Sequence, residues 1–187
     1  MSATAGTTTD PVQKAVEING LGAALIIDTP GLDDITSLGK ERMARTARML
    51  DKTDIAVVLF TDAGTDTELK LLEELRVREI PAIVALTQSD RIADSEALAK
   101  HINILTNKEV IRLSATTGEG IEALREAIVS SQFQQGGQDV PQTVCLFPVF
   151  GAFGAGCAHH STLKPDDFFN DVPLAQRVVQ QLCAAVQ

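Results

Sequence analysis

Four segments of this chain place hydroxyls, carboxylates and glycine at ligand-binding spacing. They are Gly6-Thr7-Thr8-Thr9-Asp10-Pro11, Asp28-Thr29-Pro30-Gly31, Thr87-Gln88-Ser89-Asp90 and Ser114-Ala115. A carboxylate such as Asp28, at the carboxyl end of a buried strand, can hold the water shell of a Mg²⁺ ion. Gly31, three residues on, lets a backbone N–H approach a phosphate closely. The Thr8 hydroxyl, in a Thr-rich loop, can complete the metal shell. Taken singly, each segment has an ordinary meaning: a polar terminus, a chance D-x-x-G, a polar strand-to-helix turn. Their order, with three of them each following a strand, is what points to a nucleotide. One component is missing, because nothing matches G-x-x-x-x-G-K-[ST], the loop whose N–H groups and Lys cradle phosphates.

The elements that must position these segments alternate. Residues 12–18 alternate like a half-exposed strand, Asn19-Gly20 is a hairpin turn signal, and Ala23–Ile27 is a buried strand. Helices are expected over Leu38–Leu50, Asp66–Arg78, Ser95–Leu105 and Gly120–Ser130. In the second of these Leu69, Leu72 and Leu75 are expected to face inward; Ser95 is the expected cap of the third; Ile121, Leu124 and Ile128 line the fourth. Strands are expected at Ile55–Phe60, Ala82–Leu86 and Val110–Leu113. The fold class is therefore α/β, a mostly parallel sheet covered by helices on both faces. Residues 1–130 form the main domain, the Gly- and Gln-rich stretch 131–143 a linker, and residues 144–187 a C-terminal appendage ending in a helix over Pro173–Ala185.

Composition narrows the function classes. The chain has 187 residues, is 44% hydrophobic, and carries a net charge of −9, which disfavours general nucleic-acid binding. Its core must be mostly Leu, Ile, Val and Ala, since there is no Trp or Tyr. No apolar run approaches membrane-spanning length, and Met1 to Asp10 lacks the features of a secretory leader. Three cysteines (Cys145, Cys157 and Cys183) read as thiols of a reduced, cytoplasmic protein.

Together the segments resemble the nucleotide-binding set of small GTPases. Thr87-Gln88-Ser89-Asp90 stands where that group carries [N/T]-K-x-D, whose Asp accepts two hydrogen bonds from the guanine edge; Gln88 replaces the Lys. Ser114-Ala115-Thr116-Thr117-Gly118 resembles the S-A-x-x-G loop that backs the guanine. Gly6–Val12 and Asp28-Thr29-Pro30-Gly31-Leu32-Asp33-Asp34 resemble the maturation GTPase of [FeFe]-hydrogenase, within the Era/Der/TrmE-like group, over residues 2 to about 130. The resemblance implies GTP or GDP with Mg²⁺. It places Thr8 and Asp28 at the metal, Gly31 at the γ-phosphate, and Thr87, Asp90, Ser114 and Ala115 around the base. It also implies hydrogenase or other maturation proteins as partners. That family's cluster motif is C-x-H followed by H-C-x-x-C. Cys157-Ala158-His159, with His160, matches the first half and nothing matches the second, so an iron–sulfur cluster, which wants about four ligands, is not expected.

The resemblance also implies an opening strand and phosphate loop before Ser2, so the chain reads as an N-terminally truncated, internally shortened relative with Met1 an internal codon. The missing strand would lie centrally, between Ala23–Ile27 and Ile55–Phe60. Its loss leaves a gap or forces those strands together. Val144–Phe150 is an apolar segment able to fill the gap. Gly151 to Gly156 follows with G-x-x-x-x-G spacing, and Cys157-Ala158 stands where Lys-Ser/Thr belongs. Pro148, unable to donate to a ladder, argues against that placement. Two further readings stand beside the guanine-nucleotide one: a G-like interaction module that binds no nucleotide, and a metal accessory using Cys157, His159 and His160. Hydrolysis is doubtful without the phosphate loop, and Leu32 cannot orient a water.

Overall fold

The computed structural model describes residues 12–28, 47–64, 66–134 and 142–149. Strands β1 (Val12–Ile18) and β2 (Gly22–Asp28) form an antiparallel hairpin, with Val12 opposite Asp28 and Ile18 opposite Gly22. Gly20, at φ 89°, takes the left-handed turn that the Asn-Gly pair foretells. The chain then alternates: β3 (Ile55–Phe60), α1 (Asp66–Val77), β4 (Ala82–Leu86), α2 (Ser95–Thr106), β5 (Val110–Arg112) and α3 (Ile121–Gln134). Only residues 47–50 of the helix expected over Leu38–Leu50 are described, and they are helical.

The last described strand, β6 (Gln142–Val149), enters the middle of the sheet, whose order is β1-β2-β6-β3-β4-β5. It runs parallel to both neighbours. Ala24–Asp28 pair with Gln142–Leu146 on one side, and Ile55–Phe60 pair with Val144–Val149 on the other. The gap expected between the second and third strands is thus occupied by the segment expected to begin an appendage. Among the described residues the β2 ladder ends at Leu146, so Pro148 pairs with Leu59 of β3 and with no described residue of β2, a place in the ladder where its missing donor costs less. Asp54 secures the entry: its N–H donates to the Thr143 carbonyl (3.0 Å) and its Oδ2 accepts from the Thr143 N–H (2.7 Å).

Period-2 alternation sorts the central side chains to two faces. Ile55, Val57, Leu59, Val144 and Leu146 pack with Ile121, Leu124 and Ile128 of α3. Ala56, Val58, Phe60, Cys145 and Phe147 pack with Leu71, Leu72 and Leu75 of α1 and Ala99 and Ile102 of α2. All six residues of β3 are buried, as a parallel strand covered on both faces requires.

Three local expectations change. Leu69 is exposed; the inward face of α1 is Glu68, Leu71, Leu72 and Leu75, at spacings of three and four. Asp94, and not Ser95, caps α2, its Oδ1 accepting from the Ala97 N–H at 3.0 Å. Helix α3 continues through residues 131–134 and β6 begins at Gln142, so both overlap the stretch 131–143 expected as a linker; residues 135–141 lie outside the described residues. The Gly-rich stretch after β6, the paired His residues and the helix expected at Pro173–Ala185 lie outside the described residues.

Candidate nucleotide site

Because β2, β6, β3, β4 and β5 run in one direction, their carboxyl ends share one edge of the sheet. Ligands of open parallel sheets bind along that edge. Asp28 is the last residue of β2 and stands opposite Leu146 of β6. Thr87 follows β4 directly, and Ser114 lies two residues beyond β5. The β2 and β4 ends are three strand spacings apart, about 14 Å at 4.7–4.9 Å per spacing. Thr8 and Gly31 lie outside the described residues, as do Cys157, His159 and His160.

The loops after β4 and β5 form one connected unit. Thr87 is buried, and both its N–H (2.8 Å) and its hydroxyl (3.1 Å) donate to the Phe60 carbonyl. That ties the exit of β4 to the end of β3. Gln88 adopts the left-handed conformation, φ 55° and ψ 34°, and its carbonyl accepts from the Arg91 N–H at 2.9 Å to close the 3₁₀ turn Ser89–Arg91. A non-glycine residue in this region is uncommon and is held there only by its surroundings. Ser89 is buried and its N–H donates to the Leu113 carbonyl at 3.0 Å. Asp90 is exposed, and among the described residues its carboxylate has no hydrogen-bond or ion-pair partner.

Ser114 is fully buried at the start of the second loop. Its hydroxyl accepts from the Thr117 N–H (3.1 Å), its carbonyl from the Gly118 N–H (2.9 Å), and its own N–H donates to the Glu119 carbonyl (3.0 Å). Gly118 (φ 81°) and Gly120 (φ 74°) make the reversal that delivers the chain into α3. At Gly120 a Cβ would stand 1.9 Å from the Arg112 carbonyl oxygen, so no side chain fits there.

The structure therefore brings together Thr87, Asp90, Ser114 and Ala115, and places the backbone of Asp28 further along the same edge. The sequence reading missed Glu119, which joins the two loops: its Oε2 accepts from the Ser89 hydroxyl at 2.8 Å. An acid just before a helix reads as ordinary N-terminal charge, which is why it drew no notice. Among the described residues, no group of three or more His, Cys, Asp and Glu is arranged to hold a metal. No described helix is long and apolar enough to cross a membrane.

Known proteins share this architecture. The tRNA modification GTPase MnmE of Lachnoclostridium phytofermentans is 34% identical over 137 residues, covering 70% of this chain and 28% of its own. GTPase Era of Haemophilus ducreyi is 27% identical over 126 residues, covering 64% of this chain and 41% of its own. The chain thus spans well under half the length of these curated relatives. Two solved structures superpose: a probable GTP-binding protein engB (TM-score 0.53, 20% identity, 71% of this chain and 84% of that one) and Era in complex with MgGDPNP and nucleotides 1506–1542 of 16S ribosomal RNA (TM-score 0.56, 21% identity, 70% and 47%). At that identity they show the fold alone, which is the P-loop-GTPase-like α/β fold expected from the sequence. The family model described as Ferrous iron transport protein B matches residues 2–128, and the chain belongs to that family, within the P-loop GTPase group.

Proposed function

We propose that this chain binds a guanine nucleotide through the carboxyl edge of its sheet, with the base between the Thr87–Asp90 and Ser114–Gly118 loops. The observation that carries this reading is Asp90: an exposed carboxylate with no protein partner among the described residues, fixed on a turn whose neighbours are buried and bonded. A carboxylate so held accepts two N–H bonds from a guanine edge and has nothing equivalent to accept from adenine. The phosphates then extend toward Asp28, some three strands away. Asp28 and Thr8 offer hard oxygen donors, the chemistry Mg²⁺ takes, and the ion would supply charge to neutralise those phosphates. Cys157 and His159 do not fit an iron–sulfur cluster, since they provide only half of the donors such a centre needs.

Binding, and not turnover, is the function put forward. A narrower role in [FeFe]-hydrogenase maturation rests on the Thr7-Thr8-Thr9-Asp10-Pro11-Val12 and Asp28–Asp34 motifs. Co-purification of the chain with hydrogenase maturation proteins tests that role, and its absence from those complexes would remove it. The nucleotide reading is tested by displacing a fluorescent GDP from the protein, in Mg²⁺, with GTP, GDP, ATP and XTP. Displacement by GTP and GDP alone is the expected pattern. Equal displacement by ATP, or no fluorescent complex at high micromolar protein, leaves a G-like module without base recognition.

A further inference from the structure

We propose that Glu119 is the positioning residue that couples the two base-side loops and thereby holds Asp90 at the purine edge. The inference rests on the guanine-nucleotide reading above. Glu119 reaches both loops at once. Its Oε2 accepts from the Ser89 hydroxyl at 2.8 Å, its carbonyl accepts from the Ser114 N–H at 3.0 Å, and its own N–H lies 3.3 Å from Thr117 Oγ1. Its second oxygen, Oε1, lies 3.6 Å from Arg112 Nη2.

Ser89 is the residue before Asp90 and is 5% exposed. Its N–H is committed to the Leu113 carbonyl and its hydroxyl to Glu119. Rotating the turn away from the second loop breaks both bonds together. A hydrogen bond to a carboxylate is stronger than a neutral one, so Glu119 carries more of the coupling than a Gln or Ser there would. Asp90, bonded to nothing else by its side chain among the described residues, takes its placement from this backbone. Glu119 itself is turned toward Ser89 and Arg112, which makes it a residue that acts through Asp90.

The test compares GDP with IDP, which lacks the exocyclic amine that Asp90 would bind, in the full chain and in E119Q, E119A and S89A. Amide exchange at residues 87–91 is followed in the nucleotide-free proteins. Glu119→Ala and Ser89→Ala each weaken GDP binding about tenfold, narrow the GDP/IDP ratio and speed exchange at the Ser89 amide. Glu119→Gln stays within about threefold of the parent, because its amide oxygen still accepts from the Ser89 hydroxyl and the exposed contact to Arg112 contributes little. The double variant S89A/E119A is no weaker than either single one. Parental affinity and selectivity in Glu119→Ala would overturn the proposal. So would weaker binding at an unchanged GDP/IDP ratio, or a Glu119→Gln as impaired as Glu119→Ala. A parent chain that binds neither nucleotide refutes the guanine reading itself, and that failure is seen before any variant is measured.

Discussion

Leu146 of β6 stands opposite Asp28 of β2 in parallel register, so the last described strand sits beside the strand that carries the candidate metal-site carboxylate. On its other side Leu146 pairs with Val57 of β3. The centre of the sheet is therefore closed by a segment distant in sequence from both neighbours. Val144, Cys145, Leu146 and Phe147 are each at most 1% exposed, so β6 belongs to the core and does not merely lie against it.

A cavity placed there should be costly. Leu146→Ala is expected to lose about 2–5 kcal/mol of unfolding free energy, a large share of a typical domain's 5–15 kcal/mol. Leu69→Ala, on the exposed face of α1, should stay within about 1 kcal/mol. Urea unfolding of the two variants separates them. Equal midpoints would mean that β6 does not hold the sheet together in solution.

Gly120 offers a backbone test at the mouth of the site. Gly120→Ala places a Cβ 1.9 Å from the Arg112 carbonyl oxygen at φ 74°. A loss of about 2 kcal/mol or more is expected, from left-handed strain and the clash together. Gly22→Ala has a similar φ of 87° but open space around the Cβ, and should cost only about 1 kcal/mol. Thermal or urea midpoints rank the pair.

Much of the outline was legible because it follows local pattern. The hairpin turn at Asn19-Gly20, the apolar runs of β3 and β4, and the Ile121, Leu124 and Ile128 stripe each announce themselves within a few residues. Leu69 was misplaced because α1 carries apolar residues at 69, 71, 72 and 75, and two helical phases fit them; burial of Glu68 selects the other phase. The site was legible as segments at strand ends, but its cohesion was not. Glu119 and Ser89 are 30 residues apart, and nothing local joins them. The position of β6 was legible only as a gap with one apolar segment to fill it, since register between distant strands is set by packing across the whole sheet.

Cys145 gives a pH signature of the buried strand. Burial pushes its thiol up from the usual range, partly opposed by the Thr53 hydroxyl 3.0 Å from Sγ, with the nearby Asp54 charge raising it further. A folded-state pKa above the unfolded value favours the protonated thiol, so the contribution is fully present below the unfolded pKa. It is lost as pH rises toward the folded value. As pH rises above the unfolded thiol value of about 8.5, the parent should lose stability more steeply than Cys145→Ala, by at most about 1.4 kcal/mol per pH unit. Urea unfolding across that range checks it; parallel curves would place the thiol in water.

Base recognition makes its own prediction. Asp90→Asn exchanges one acceptor oxygen for an amide donor, which opposes the guanine N–H groups and matches the carbonyl of xanthine. GTP binding should weaken at least about a hundredfold while XTP binding improves. Competition between the two nucleotides on the same protein reads the switch directly.

The central claim, that Asp90 reads a guanine base at this edge, is met most directly by calorimetry of GDP with Mg²⁺ on the parent chain and on Asp90→Ala at equal concentration. The account predicts a saturable one-site heat in the parent that Asp90→Ala abolishes while its unfolding midpoint holds. An equal heat in both proteins, or none in the parent, would contradict it.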